Sequence, residues 1–138
     1  MEPKIKISLY ISANRLNFQE ITAALNLCPS ETRKKEDFPK VSQEMGFACD
    51  EWVYTIPKIE CKSVSSRLNE LETVFSKRIE QLNEIKYNYN ADVGIVIVIE
   101  MEAGNHPELC FSKSNIEFIH SIQAEVGIDP YIDYPEND

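Results

Sequence analysis

The sequence is poor in the residues from which most catalytic and metal sites are built. Its 138 residues include only four glycines and two histidines, His106 and His120. The glycines are too scattered to form the loops that cradle phosphates or dinucleotides. Neither histidine lies in a motif typical of a zinc protease, a serine hydrolase or a cysteine nucleophile. We therefore expect no cofactor, no metal and no catalytic residue, which argues against an enzyme.

Cysteine spacing and short apolar runs argue against two further classes. The cysteines at positions 28, 49, 61 and 110 form no CxxC pair, and no histidine lies at zinc-finger spacing. The longest apolar run covers residues 93–99, whereas a membrane helix needs roughly 20 apolar residues. The first residues lack the pattern of a signal peptide. We expect a cytoplasmic protein with four reduced thiols and no membrane partner.

The chain has few positive charges. It carries 23 Asp and Glu against 14 Lys and Arg, for a net charge of −9. An acidic protein repels phosphate backbones, so we expect no nucleic-acid partner. The acidity can attract a basic protein, or it can simply keep the chain soluble.

The most informative stretch that is present covers residues 91–102, ADVGIVIVIEME. Side chains alternate across a strand, so its odd-numbered residues form one fully apolar face. Its even-numbered residues are apolar in the middle and end on Glu100 and Glu102. Because such a strand would recruit other chains at a sheet edge, we predict that it lies in the sheet interior with helices on its odd-numbered face. The second face needs another cover: the long loop, the C-terminal tail or another chain.

Hydrophobic periodicity, capping residues and turn residues predict the other elements. We predict strands at residues 4–13 and 52–59, with Trp52 as a core anchor and Pro57 at an edge. A helix over 17–27 would be capped by Asn17, and a helix over 63–86 would cover the sheet, although its stripe also suits a coiled coil. Leu109 and Phe111 would return as a hairpin strand. A last helix over 114–126 would be capped by Ser114 and stopped by Gly127.

Residues 28–51 read as a long irregular loop. The segment contains two prolines and a glycine and has no sustained period. Arg33, Lys34 and Lys35 form the tightest basic cluster in the chain. They suit an anion or partner contact, or they simply offset the acidic body.

We conclude that the fold class is α+β: a two-layer sandwich in which a sheet of four to five strands, antiparallel or mixed, carries three helices mainly on one face. Residues 1–138 would form a single domain with a frayed tail at 135–138. Candidate partner-binding residues are the acidic and basic groups named so far, together with two near the C-terminus: Glu100, Glu102, Asp129, Asp133, Arg33, Lys34 and Lys35.

The order of these features resembles a bacterial family of unknown function, domain of unknown function 4279. The resemblance rests on Leu27-Cys28-Pro29-Ser30, the basic cluster at 33–35, Trp52, the long helix, the apolar strand, and Gly127-Ile128 followed by Tyr131 and Tyr134. One departure is Glu36, which follows Lys35 where the family tends to have glycine. The family has no established activity. Because related domains occur among bacterial toxin–immunity clusters, the resemblance implies a binding role.

Three functional hypotheses follow. The first is a small cytoplasmic protein-binding module, such as an immunity-type inhibitor of a basic toxin. The second is an enzyme or small-ligand sensor with a pocket under residues 28–51. The third is a structural homo-oligomer that pairs through its exposed sheet face.

Overall fold

The computed structural model describes residues 1–135 and shows an α+β fold. Its sheet is mixed and open and has the strand order β2-β3-β1-β4-β5. The strands are β1 (Lys4–Ala13), β2 (Glu31–Arg33), β3 (Asp50–Glu60), β4 (Asp92–Glu102) and β5 (Glu125–Asp133). The helices are α1 (Phe18–Leu25), α2 (Lys40–Glu44), α3 (Val64–Phe75), α4 (Ile79–Tyr89) and α5 (Lys113–Ser121). The predicted fold class is confirmed, with five helices in place of three.

β4 lies in the sheet interior, as its alternation predicts. It pairs antiparallel with β1 and parallel with β5. Its odd-numbered side chains from Val93 to Met101 are all buried. They join the core that β1 and the helices build around Leu68, Leu71 and Phe75. Trp52 is fully buried in the same core, which confirms its predicted role.

The segment 28–51 is not irregular. It contains β2, a 3-10 turn at Lys35–Asp37 and α2. Asp50 organises it: this buried carboxylate accepts hydrogen bonds from the backbone N–H groups of Leu16 (2.9 Å) and Lys35 (2.8 Å). A buried carboxylate with two backbone donors is a stable arrangement, since hydrogen bonds to a charged group are strong.

The predicted long helix is two helices, α3 and α4, which are separated at Ser76–Arg78. Arg78 occupies the break. Its guanidinium donates to the carbonyl oxygens of Val74 (2.5 Å), Leu25 (2.7 Å) and Asn26 (3.3 Å), at the ends of α3 and α1. Arg78 thus satisfies carbonyl groups that helix ends leave without partners. The apolar stripe continues across the break, which is why periodicity alone predicts one helix.

The C-terminal third also departs from prediction. Residues 103–106 turn with a positive φ at Gly104, but Leu109 and Phe111 form no hairpin strand. Instead, Glu108 exchanges backbone hydrogen bonds with Lys62 and Val64 at the start of α3. The second strand that pairs with β4 is β5, which the chain reaches after crossing over through α5.

The last helix begins at Lys113, one residue before the predicted start, and ends at Ser121, five residues before the predicted end. Its cap is Ser112, which forms a reciprocal capping box with Asn115, and Ser114 instead donates to Glu72. Gln123, at φ 48°, turns the chain after the helix. Gly127 therefore lies within β5 rather than at a helix end. Of the tail predicted at 135–138, three residues lie outside the described part of the chain.

We predict that Arg78→Met destabilises the protein by about 2–3 kcal/mol, because it leaves helix-end carbonyl groups without their charged donor. Lys77→Met is the control, since Lys77 is exposed and adjacent. Urea unfolding of both variants measures the difference. Equal midpoints for the two variants would show that Arg78 does not hold the α1–α3–α4 junction together.

Candidate functional site

The second face of the sheet lies opposite the face on which the helices pack. It is formed by the even-numbered residues of β1 and β4 and by the residues that pair with them. Val53 and Ser8 are buried within this face, at 2% and 3% exposure, whereas Val96 and Val98 at its centre are half-buried. We call this surface the open face.

The four predicted acidic residues converge at one corner of the open face. The β4–β5 register places Asp129 beside Val98 and Asp133 beside Glu102, and Glu100 lies between them on β4. The sequence separates these pairs by about thirty positions, and the parallel pairing of two strands brings them together. We call this group, which comprises Glu100, Glu102, Asp129 and Asp133, the acidic corner.

The β4 half of the acidic corner is partly neutralised. Lys58 forms an ion pair with Glu100 at 2.5 Å, and the amino group of Met1 lies 3.2 Å from Glu102. The hydrogen bond from Lys58, aided by the charges of Lys58 itself, Lys4 and Lys6, lowers the pKa of Glu100. Because these groups are exposed, such ion pairs stabilise the fold only slightly.

The β5 half is not neutralised. Within residues 1–135, Asp129 and Asp133 form no ion pair, and Glu125 on the same side of the strand forms none either. All three are exposed. This row of carboxylates is therefore the part of the open face with most capacity to attract a positive charge.

The predicted basic cluster lies elsewhere. Arg33 is on β2 at the opposite edge, near Glu51 (3.9 Å) and over the ring of Phe38 (5.2 Å from its centroid). The Nζ of Lys35 donates to Asn14 at 2.7 Å, while Lys34 is exposed. The structure therefore separates these three residues from the acidic corner by the width of the sheet.

A shallow depression lies on the open face at the end of the sheet opposite the acidic corner. Its lining includes Tyr10, Glu51, Asp92 and Glu125. Burial, reinforced by the charges of Glu51 and Glu31, raises the pKa of Tyr10. Burial also raises the pKa of Glu51, and Arg33 only partly opposes this effect. Sequence reasoning missed this group, because β1, β3 and β4 come together here only through their pairing.

The chemistry available at these positions is limited. Among residues 1–135, no three His, Cys, Asp or Glu side chains are grouped so that they could hold a metal ion. All four cysteines are free thiols. In the same part of the chain, no helix has the length and apolarity to cross a membrane.

These features define an α+β protein with a mixed five-stranded sheet that has one helix-covered face and one open face with an acidic corner. The chain belongs to the family described as Domain of unknown function (DUF4279), whose model matches residues 3–133. The resemblance noted in the sequence is thus confirmed, for a family that has no established activity. No curated protein and no solved structure matches the chain.

We predict that Glu51→Gln stabilises the protein at pH 7 and that this gain disappears near pH 4. The folded-state pKa of Glu51 is raised, so its ionised form costs stability above that pKa, whereas below about pH 4.3 the carboxyl is protonated in both states. Thermal unfolding from pH 4 to pH 8 measures the difference. A gain that is independent of pH would contradict this assignment of the cost to the partly buried charge of Glu51.

Proposed function

We propose that this protein is a protein-binding module whose acidic corner receives a basic partner. The observation that carries the proposal is the convergence of Glu100, Glu102, Asp129 and Asp133 on the open face, where the β5 carboxylates form no ion pair with any residue from 1 to 135. The net charge of −9 adds long-range attraction for a basic protein. The finer version, an immunity-type inhibitor of a basic toxin, follows from the family resemblance.

The open face suits a protein better than a small molecule. It is a broad sheet surface on which half-buried Val96 and Val98 adjoin charged residues. Protein interfaces combine an apolar centre with a polar rim in this way, whereas small-molecule sites are concave and mostly apolar. The ligand-sensor and homo-oligomer hypotheses stay predictions.

We expect the protein to capture the product of the gene encoded beside its own, and charge reversal at the acidic corner to weaken that complex. Asp129→Lys with Asp133→Lys should raise the dissociation constant at least about tenfold, which corresponds to about 1.4 kcal/mol. Glu80→Lys with Glu84→Lys is the control, because it makes the same change in net charge on the exposed side of α4. Titration calorimetry at two salt concentrations measures both.

The absence of a complex at micromolar concentration and low salt would overturn the proposal for this partner. Equal weakening by both double variants would show that only net charge matters. If the role is immunity-type, co-expression of the wild-type protein also restores growth to cells that express the partner. The corner-reversed variant would then fail to restore growth.

A further inference from the structure

The free edge of β5 is the longest unpaired strand edge of the sheet. β5 pairs with β4 along its whole length, from Glu125 beside Gly94 to Asp133 beside Glu102. In the described part of the chain, no strand pairs with its other side. A strand edge presents unpaired N–H and C=O groups that can bind another extended segment.

The opposite edge of the sheet is protected. β2 pairs with only three residues of β3, at Glu51–Val53. Beyond them, β3 carries Pro57 and a register shift against β1, followed by Lys58. Proline, bulges and lysine are the devices by which natural sheets prevent edge-to-edge pairing. β5 keeps an unbroken register and has only Pro130 as an interruption.

The helix-side residues of β5 are apolar and uncovered. Ile128 is 52% exposed and Ile132 is 42% exposed, although both pair with buried residues of β4. The reason is length, since the nine residues of α5 span about 13 Å whereas the nine residues of β5 span about 30 Å. The apolar surface continues into a groove between α5 and β5, which is lined by Phe111, Ile116, Ile119 and Val126.

The other side of β5 carries three carboxylates, Glu125, Asp129 and Asp133, with Gly127 and Tyr131 between them on the open face. A strand laid along this edge would therefore meet apolar side chains on one side and carboxylates on the other. Alternation across a strand allows one segment to satisfy both, with apolar residues at every second position and Lys or Arg between them. A second copy of this chain fits less well, because two β5 strands would bring six carboxylates to one seam.

We propose that the edge of β5 binds an extended segment of a partner protein in which basic and apolar residues alternate, so that the segment adds a sixth strand to the sheet. This inference rests on the proposed function and specifies how the partner is held. Backbone hydrogen bonds would supply affinity, and the alternation of side chains would supply selectivity.

The test uses two nine-residue peptides with blocked ends, one alternating Lys and Val and one with the same composition without alternation. We expect the alternating peptide to bind the intact protein at least about tenfold more tightly. Ile128→Lys should weaken that binding at least about tenfold. Ile59→Lys is the matched control, since Ile59 is 49% exposed on the helix side of the β3 edge, and it should leave binding unchanged. Fluorescence anisotropy gives the affinities, and thermal unfolding confirms that both variants fold.

Equal affinity for the two peptides would overturn the proposal, because it would show attraction by charge alone. Three other results would also overturn it. Neither peptide binds at about 1 mM, both substitutions weaken binding equally, or this chain forms a dimer that Ile128→Lys dissociates. The two proposals fail separately. If the neighbouring gene product is captured through the acidic corner and Ile128→Lys has no effect, only the proposal of an added strand is rejected. If peptide binding depends on Ile128 but the neighbouring gene product is not captured, only the identification of that product as the partner is rejected.

Discussion

The alternation of side chains along β4 is the constraint on which the rest of the structure depends. One parity is wholly apolar from Val93 to Met101, so that face must be covered by helices. β4 also needs a strand on each side, and β1 and β5 fill these places. Because β4 lies in the interior, the helices pack on its odd-numbered face, where Leu68, Leu71 and Phe75 cover the apolar side chains of the strand.

The same constraint produces the surface to which we assign function. Because the helices are used on one face, the even-numbered side chains of β4 are left facing outward with those of β1. The parallel pairing of β5 then adds a row of carboxylates beside Glu100 and Glu102. The short α5 cannot cover the whole of β5, which leaves an apolar strip next to the acidic one. The open face and the free edge are thus two consequences of one arrangement of strands.

Local signals in the sequence predict the elements whose determinants are local. The alternation of β1 and β4 identifies both strands, and the side chain of Asn17 caps α1 as expected by accepting a hydrogen bond from the N–H of Glu20. The break between α3 and α4 could not be predicted in this way. It depends on Arg78 reaching carbonyl groups of α1 about fifty residues away, and a continuous apolar stripe hides it.

The C-terminal third shows a different limit. Val126, Ile128 and Ile132 share one parity, which is a strand signal, but the first of them also continues the period of the preceding helix. Ser112 and Ser114 both suit a cap, and the choice is made by Asn115, which is fully buried between α5 and α3 and hydrogen-bonds to Asn69 and Glu72. Half of the acidic corner was recognisable on β4. Its convergence with Asp129 and Asp133 required the pairing of β4 with β5.

The central claim is that the odd-numbered side chains of β4 are buried under the helices, whereas its even-numbered side chains lie on the open face. Its most direct test is the relaxation of methyl protons in the intact protein when a soluble gadolinium chelate is added. The account predicts strong enhancement at the methyl groups of Val96 and Val98 and almost none at those of Ile95, Ile97 and Ile99. Equal protection of both sets would contradict it, because it would mean that another layer covers the face on which the proposed site lies.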